Sequence, residues 1–266
     1  MVLGVISALP FPSAGHAASS PWLTVQGGRV RLVALAPESD GRIPALLDIR
    51  LQPGWHTYWR EPGAGGIPPT LTIADPGVEL KAIDFPVPQR FLEGDVSMAG
   101  YAERAQFPLT LSLKGGTAPA QLDADLFIGI CKEICIPVSG RLSLPLPPAG
   151  SFEPLDAALI DTARAALPPA TSEGLSVTPA VIAPSRDSLR FTLTSGEAPE
   201  TLPEVFLAGP SGIGFGPPVV TAQGDGRFQV TVPLRLGKDG ERRLAEGAIL
   251  AIRHGDATLE TRLPLN

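Results

Sequence analysis

The chain is poor in the side chains that carry most chemistry. Its 266 residues include two cysteines, two methionines, three histidines, two tyrosines and three tryptophans. So few histidines leave little from which to build a catalytic triad or a histidine-rich metal centre. No G-x-S-x-G elbow, H-E-x-x-H helix or phosphate-cradling P-loop occurs. Charged residues make up only 18%, the net charge is −6, and no basic stripe exists to neutralise phosphates, which argues against a nucleic-acid partner. Glu241-Arg242-Arg243 is the nearest approach to a basic cluster and reads as a solvated turn. Long apolar runs are missing too: nothing approaches the ~18 residues a membrane helix needs.

What is abundant is turn chemistry. Thirty prolines and 29 glycines are too many for a helical protein and suit short strands joined by turns. Between Trp22 and Leu146 the apolar residues recur at period two: Val30/Leu32/Ala34, Leu47/Ile49/Leu51, Phe107/Leu109/Leu111/Leu113, Leu122/Ala124/Leu126/Ile128 and Leu142/Leu144/Leu146. Strands with one apolar and one polar face predict an antiparallel, immunoglobulin-like sandwich over residues 20–148. Residues 149–170 read as a helical linker, with Leu155, Leu159, Thr162/Ala163 and Ala166 at helical spacing. Ser151 is placed to cap it and Pro168-Pro169 to stop it. Alternation resumes over 171–266, with candidate strands Leu175–Ile182, Leu189–Thr194, Val205–Ala208, Val219–Gln223, Phe228–Pro233, Ala248–His254 and Thr258–Pro264. The expected fold class is all-β: two immunoglobulin-like β-sandwich domains joined by a short helix.

Residues 1–18 carry no acid or base, and an apolar run from Val2 to Phe11 precedes the small residues Ala14-Gly15-His16-Ala17-Ala18. This reads as a signal peptide without its basic start, and the expected location is periplasmic, exported and soluble. An exported chain with two close cysteines belongs in an oxidising compartment.

Those cysteines, Cys131 and Cys135, form a C-x-x-x-C at the end of the apolar run Leu126–Ile130. Bent into a turn, that spacing brings two Cα atoms within the roughly 4.4–6.8 Å of a disulfide. Three readings stay open. A structural bond would close a tiny loop and add only about 2 kcal/mol in the chain-entropy model. A redox pair would exchange with a partner thiolate through a mixed disulfide, with Lys132 favouring a thiolate and Glu133 opposing it. A Cu(I) site would need a third ligand such as His56.

A second unusual stretch is Gly54-Trp55-His56-Thr57-Tyr58-Trp59-Arg60-Glu61-Pro62-Gly63. On a strand, Trp55, Thr57 and Trp59 share one face and His56, Tyr58 and Arg60 the other. The tryptophans suit the core. His56 and Tyr58 can then line a pocket that shields a disulfide, with the segment around Phe91 and Gly100-Tyr101 as a loop over it.

The order G-W-H-T-Y-W-R-E-P-G, F-P-V-P-Q-R-F (85–91), G-Y (100–101), F-P-L-T-L (107–111) and C-K-E-I-C-I-P (131–137) resembles the periplasmic N-terminal domain of the thiol:disulfide interchange protein DsbD family, including its ScsB copper-sensitivity branch. The likeness spans about residues 22–146. It implies an immunoglobulin-like domain with Cys131 and Cys135 as the redox pair. It also implies that His56 and Tyr58 sit where the family has aromatic residues around its disulfide, that the loop near Phe91–Gly100 is its protective cap, and that no cofactor is used. Implied partners are a membrane-embedded thiol reductase and periplasmic thioredoxin-like or disulfide isomerase proteins. Two features depart from the family: the cysteine spacing is narrower than in DsbD, and no membrane or thioredoxin domain follows. Either a separate membrane protein supplies electrons or the sequence is part of a longer one. The remaining alternative is a copper(I)-binding or docking module without redox turnover.

Overall fold

A computed structural model describes residues 18–63, 65–93, 96–196 and 201–266. The leader read at residues 1–18 therefore lies, except for Ala18, outside the described residues.

The first half is all strand: β1 (Leu23–Val25), β2 (Gly28–Ala34), β3 (Arg42–Leu51), β4 (His56–Tyr58), β5 (Thr70–Ile73), β6 (Val78–Ile83), β7 (Gln89–Glu93), β8 (Val96–Ala102), β9 (Arg104–Leu113), β10 (Gln121–Cys131) and β11 (Cys135–Pro145). One sheet has the order β1-β2-β3-β9-β6 and the other β11-β10-β4-β8-β7, with β5 added on β10. Every pairing between these strands is antiparallel. The period-two residues do what alternation requires. Val30, Leu32, Leu47, Ile49, Phe107 and Leu109 of one sheet meet Leu122, Ala124, Ile128 and Leu144 of the other, with Trp59 fully buried among them.

The outer face of the first sheet is divided. At one end Val33 and Leu46 are covered by helix α1 (Pro154–Ala165) through its buried Ile160 and Ala163. The helix therefore lies against the first sandwich. Its burial face differs from the expected one, since Leu155 is exposed. Glu153 takes the cap position with Pro154 behind it, not Ser151. A proline is favoured in the first turn because the N–H it lacks has no helical partner there. At the other end the register sets Arg29, Arg50 and Arg104 side by side on adjacent strands. Like charges so placed repel. The fully buried Asp48 answers them, lying 3.2 Å from Arg31, 3.3 Å from Arg50 and 3.6 Å from Arg104.

The second half contains β12 (Leu175–Val177), β13 (Val181–Ile182), β14 (Ser188–Ser195), β15 (Glu204–Ala208), β16 (Ile213–Phe215), β17 (Val219–Gly224), β18 (Arg227–Leu236), α2 (Gly240–Gly247), β19 (Ile249–His254) and β20 (Ala257–Arg262). The expected Leu175–Ile182 strand is split in two, and the expected turn at Glu241-Arg242-Arg243 is the helix α2. A sheet β12-β14-β18-β16, with β13 and β17 alongside, faces the three-stranded sheet β15-β19-β20. Phe191, Phe228, Val230, Leu250 and Ile252 fill the space between them.

That small sheet is buried on both sides. Val205 and Leu207 of β15 point into the second core, while Phe206 and Ala208, with Ala251 of β19, join the core of the first sandwich. Phe206 meets Trp59 edge-on at 6.0 Å. The two halves thus share one layer. Around it, Arg60 Nη2 donates to both carboxylate oxygens of Glu260, at 3.0 and 3.2 Å.

Candidate functional site

β10 and β11 form the longest hairpin of the chain, and Cys131 and Cys135 are its last cross-strand pair. Three residues, Lys132, Glu133 and Ile134, turn the corner, and all three are exposed. Hairpin geometry alone brings opposed Cα atoms to about 4.5–5.5 Å; here they stand 4.3 Å apart and the sulfurs are bonded. The two sulfurs are not equivalent. Cys131 is fully buried, whereas Cys135 is half-buried and reaches solvent.

β4 lies beside the end of β10, with His56 opposite Cys131. Thr57 is fully buried and donates its hydroxyl to Gly129 O at 2.8 Å, which fixes the strand against β10. Tyr58 therefore turns its ring onto the disulfide. Its hydroxyl lies 2.5 Å from Cys131 Sγ and 2.6 Å from Cys135 Sγ. A disulfide sulfur carries no hydrogen, so the hydroxyl is the donor in this oxidised form. Gly129 makes the close approach possible: a Cβ there would meet the Tyr58 ring at 2.8 Å.

The cover comes from the hairpin of β7 and β8. Phe91 stacks on His56 at 4.7 Å with the planes 15° apart, and His56 in turn meets Tyr58 edge-on at 5.6 Å. Met98 packs with Tyr58 and Cys131, joined by Ile67. Cys135 Sγ sits 3.9 Å from Gly65 O at the rim. The tip residues 94 and 95 of the expected cap lie outside the described residues.

Of the residues singled out from sequence, Cys131, Cys135, His56, Tyr58 and Phe91 come together. Tyr101 does not. It faces the core, 5.1 Å from the Phe107 ring, and its hydroxyl donates to Pro86 O at 2.7 Å. Burial pushes its phenol well above the ordinary value. Tyr101 is one residue out of phase with Met98 and Gly100 on β8, so it holds the segment leading into β7 rather than covering sulfur. Met98, Ile67 and Gly129 carried no distinguishing sequence signal beyond the rarity of methionine. Lys132 and Glu133 point to solvent. Among the described residues no group of three His, Cys, Asp or Glu side chains gathers to hold a metal ion.

Residues 30–147 match the family model described as "Thiol:disulfide interchange protein DsbD, N-terminal". This part of the chain is similar to the N-terminal domain of DsbD. The fold of the whole chain is similar to a solved structure, the N-terminal periplasmic domain of ScsB from Proteus mirabilis. That likeness has 24% identity and a TM-score of 0.76, and covers 94% of this chain and 99% of that one. It therefore extends through the second sandwich as well as the DsbD-type domain. A second structure, the conserved domain protein from Bacillus anthracis, is 10% identical over 89% of this chain and 78% of its own, at a TM-score of 0.23 too loose to argue from. No curated protein matches the chain. Among the described residues no helix is long and apolar enough to cross a membrane. The DsbD-type fold and its Cys131–Cys135 disulfide fit a thiol–disulfide exchange module.

Proposed function

We propose that the protein relays electrons by thiol–disulfide exchange in the periplasm, from a membrane-embedded thiol reductase to thioredoxin-like proteins, with Cys131 and Cys135 as the working pair. The observation that carries this reading is the unequal burial of the pair: one sulfur reaches solvent while the other is enclosed under Tyr58 and Met98. A purely structural staple gains nothing from an exposed sulfur, whereas exchange requires one that an attacking thiolate can reach.

In the accepting direction, a thiolate of the reductant attacks Cys135 Sγ. The Sγ–Sγ bond breaks, Cys131 leaves as a thiolate and takes up a proton. The reductant's second thiol then attacks the mixed disulfide and releases Cys135. Two electrons and two protons reach the pair, and the reductant leaves as a disulfide. In the donating direction Cys135 attacks the disulfide of a thioredoxin-like partner, and Cys131 resolves the intermediate. The Tyr58 hydroxyl is placed to donate to whichever sulfur carries negative charge, because it stands within hydrogen-bond reach of both. Phe91, His56 and Met98 keep small oxidants and wrong thiols off the bond.

Trapping tests this. Cys131→Ser leaves the accessible thiol and accumulates a mixed disulfide with a thioredoxin-like protein whose own resolving cysteine is replaced by serine. Cys135→Ser leaves only the enclosed sulfur and accumulates far less. If the oxidised protein keeps its bridge through prolonged incubation with reduced thioredoxin-like protein, the relay is wrong.

A further inference from the structure

The hairpin over the disulfide has a second face, and that face is occupied too. Phe91 and Met98 turn toward the sulfurs, while Arg90, Ser97 and Ala99 turn toward the second sandwich across a cavity of about 370 Å³ that Trp59, Phe206 and Phe215 also line. The alternation of a strand makes this unavoidable: what holds Arg90 also sets where Phe91 lies.

The root of β7 is gripped from the second sandwich. Arg253 Nη2, on β19, donates to the carbonyls of Val87 at 2.5 Å and Pro88 at 3.0 Å, and its Nη1 is paired with Glu204 at 3.4 Å. Arg90 reaches back in the other direction. Its Nη2 donates to Val205 O at 2.9 Å, its Nη1 to Ser97 Oγ at 3.0 Å, and its guanidinium lies 4.8 Å from the centre of the Phe206 ring. These contacts fall on residues 87–90, immediately before the phenylalanine that covers His56. The segment between them is stiff. Pro86 and Pro88 fix two of its backbone angles, and Tyr101 ties down Pro86 O. A displacement at its base is carried along it instead of being absorbed.

We propose that the second sandwich sets how readily this hairpin opens over the disulfide, with Arg253 and Arg90 as the positioning residues that couple it to exchange. This rests on the exchange reading above and gives residues 171–266 a part in it. When the clamp is intact, the hairpin stays closed over Cys131, Tyr58 and His56, and the half-buried Cys135 sulfur is open to attack from its solvent side alone. A partner that engages the second sandwich or the shared cavity, and so loosens Arg253 or Arg90, uncovers the bond.

The test reduces the oxidised full chain with dithiothreitol, which passes two electrons to the pair and leaves as a cyclic disulfide. Arg253→Ala, and separately Arg90→Met, which keeps an apolar stem over Phe206, raise the second-order rate several-fold. The equilibrium potential against glutathione stays unchanged, because opening lowers the barrier in both directions alike. Phe91→Ala is fast by itself, and Phe91→Ala/Arg253→Ala is no faster, since the clamp acts through that ring. Wild-type rates in both arginine variants overturn the proposal. So does a change in potential in place of rate, or a double variant in which the two effects simply add. Should Arg253→Ala fail to fold, Arg90→Met decides. Failure to exchange with a thioredoxin-like protein would sink the relay, but the dithiothreitol rates would still report on the clamp.

Discussion

The two sandwiches have similar strand inventories and opposite burdens. The first buries its own core, carries both cysteines, and has an outer sheet face partly covered by α1. The second carries no cysteine, yet three of its apolar residues lie in the first sandwich's core. One half holds the disulfide, and the other packs against the base of the hairpin beside it. A protein needing only a disulfide on a rigid sheet could stop at the first half, so the difference points to the hairpin between them as the part that must be controlled.

Three experiments sharpen or break this comparison. The largest effect is expected in the second core. Phe228 is fully buried there. Phe228→Ala costs about 3–5 kcal/mol and lowers the melting temperature by roughly 10 °C. Because the β15-β19-β20 sheet lies in both cores, calorimetry should show one transition moving as a whole. Two separated transitions would mean that the halves melt independently and share less than their packing indicates.

A smaller loss is expected in the first half. Asp48→Asn takes away the carboxylate among Arg31, Arg50 and Arg104. Removing one partner of a buried pair costs 3–5 kcal/mol at most; about 2 is expected here, because the arginines keep contact with water. Denaturant titration at low and high salt checks it. The deficit should shrink as salt screens the exposed guanidinium groups. No loss at low salt would show that the arginine row needs no answering charge.

The smallest effect belongs to the shared boundary. Glu61 lines the cavity between the sandwiches, and burial holds its carboxyl above the usual value of 4.5. The folded protein therefore binds this proton more tightly than the unfolded chain does. The penalty for its charge is present above the raised folded pKa and disappears below the unfolded one. Glu61→Gln should raise the melting temperature slightly at neutral pH and leave it unchanged near about pH 4. A gain that persists at acid pH would assign the effect to packing rather than charge.

Much of the first half is legible in its residues. Alternation marks its main strands, and in the aromatic stretch Trp59 lies in the core while Tyr58, one residue before it, lies on the sulfur side. The second half is less legible for a physical reason. Val205–Ala208 and Ala248–Ile252 are nearly unbroken apolar runs, which is how a strand reads when both of its faces are buried. Such a run shows that a strand exists without showing what lies on either side. Tyr101 was misplaced for a related reason: its neighbours Gly100 and Ala102 are both small, so nothing local fixes which face of β8 it takes. The helix cap moved from Ser151 to Glu153 because the first-turn preference of Pro154 outweighed a capping hydroxyl three residues upstream.

The sequence by itself determined the all-β class, the close cysteine pair at the end of an apolar run, and an aromatic strand with His56 and Tyr58 on one face. These depend on spacing along the chain, which periodicity records. Only the tertiary structure decided which sulfur is enclosed, that one tyrosine hydroxyl reaches both, and that the second sandwich grips the base of the covering hairpin. Tyr58 and Cys131 are 73 residues apart, and Arg253 and Val87 are 166 apart. Contacts over such separations are set by how sheets stack, and no local pattern of residues encodes that stacking.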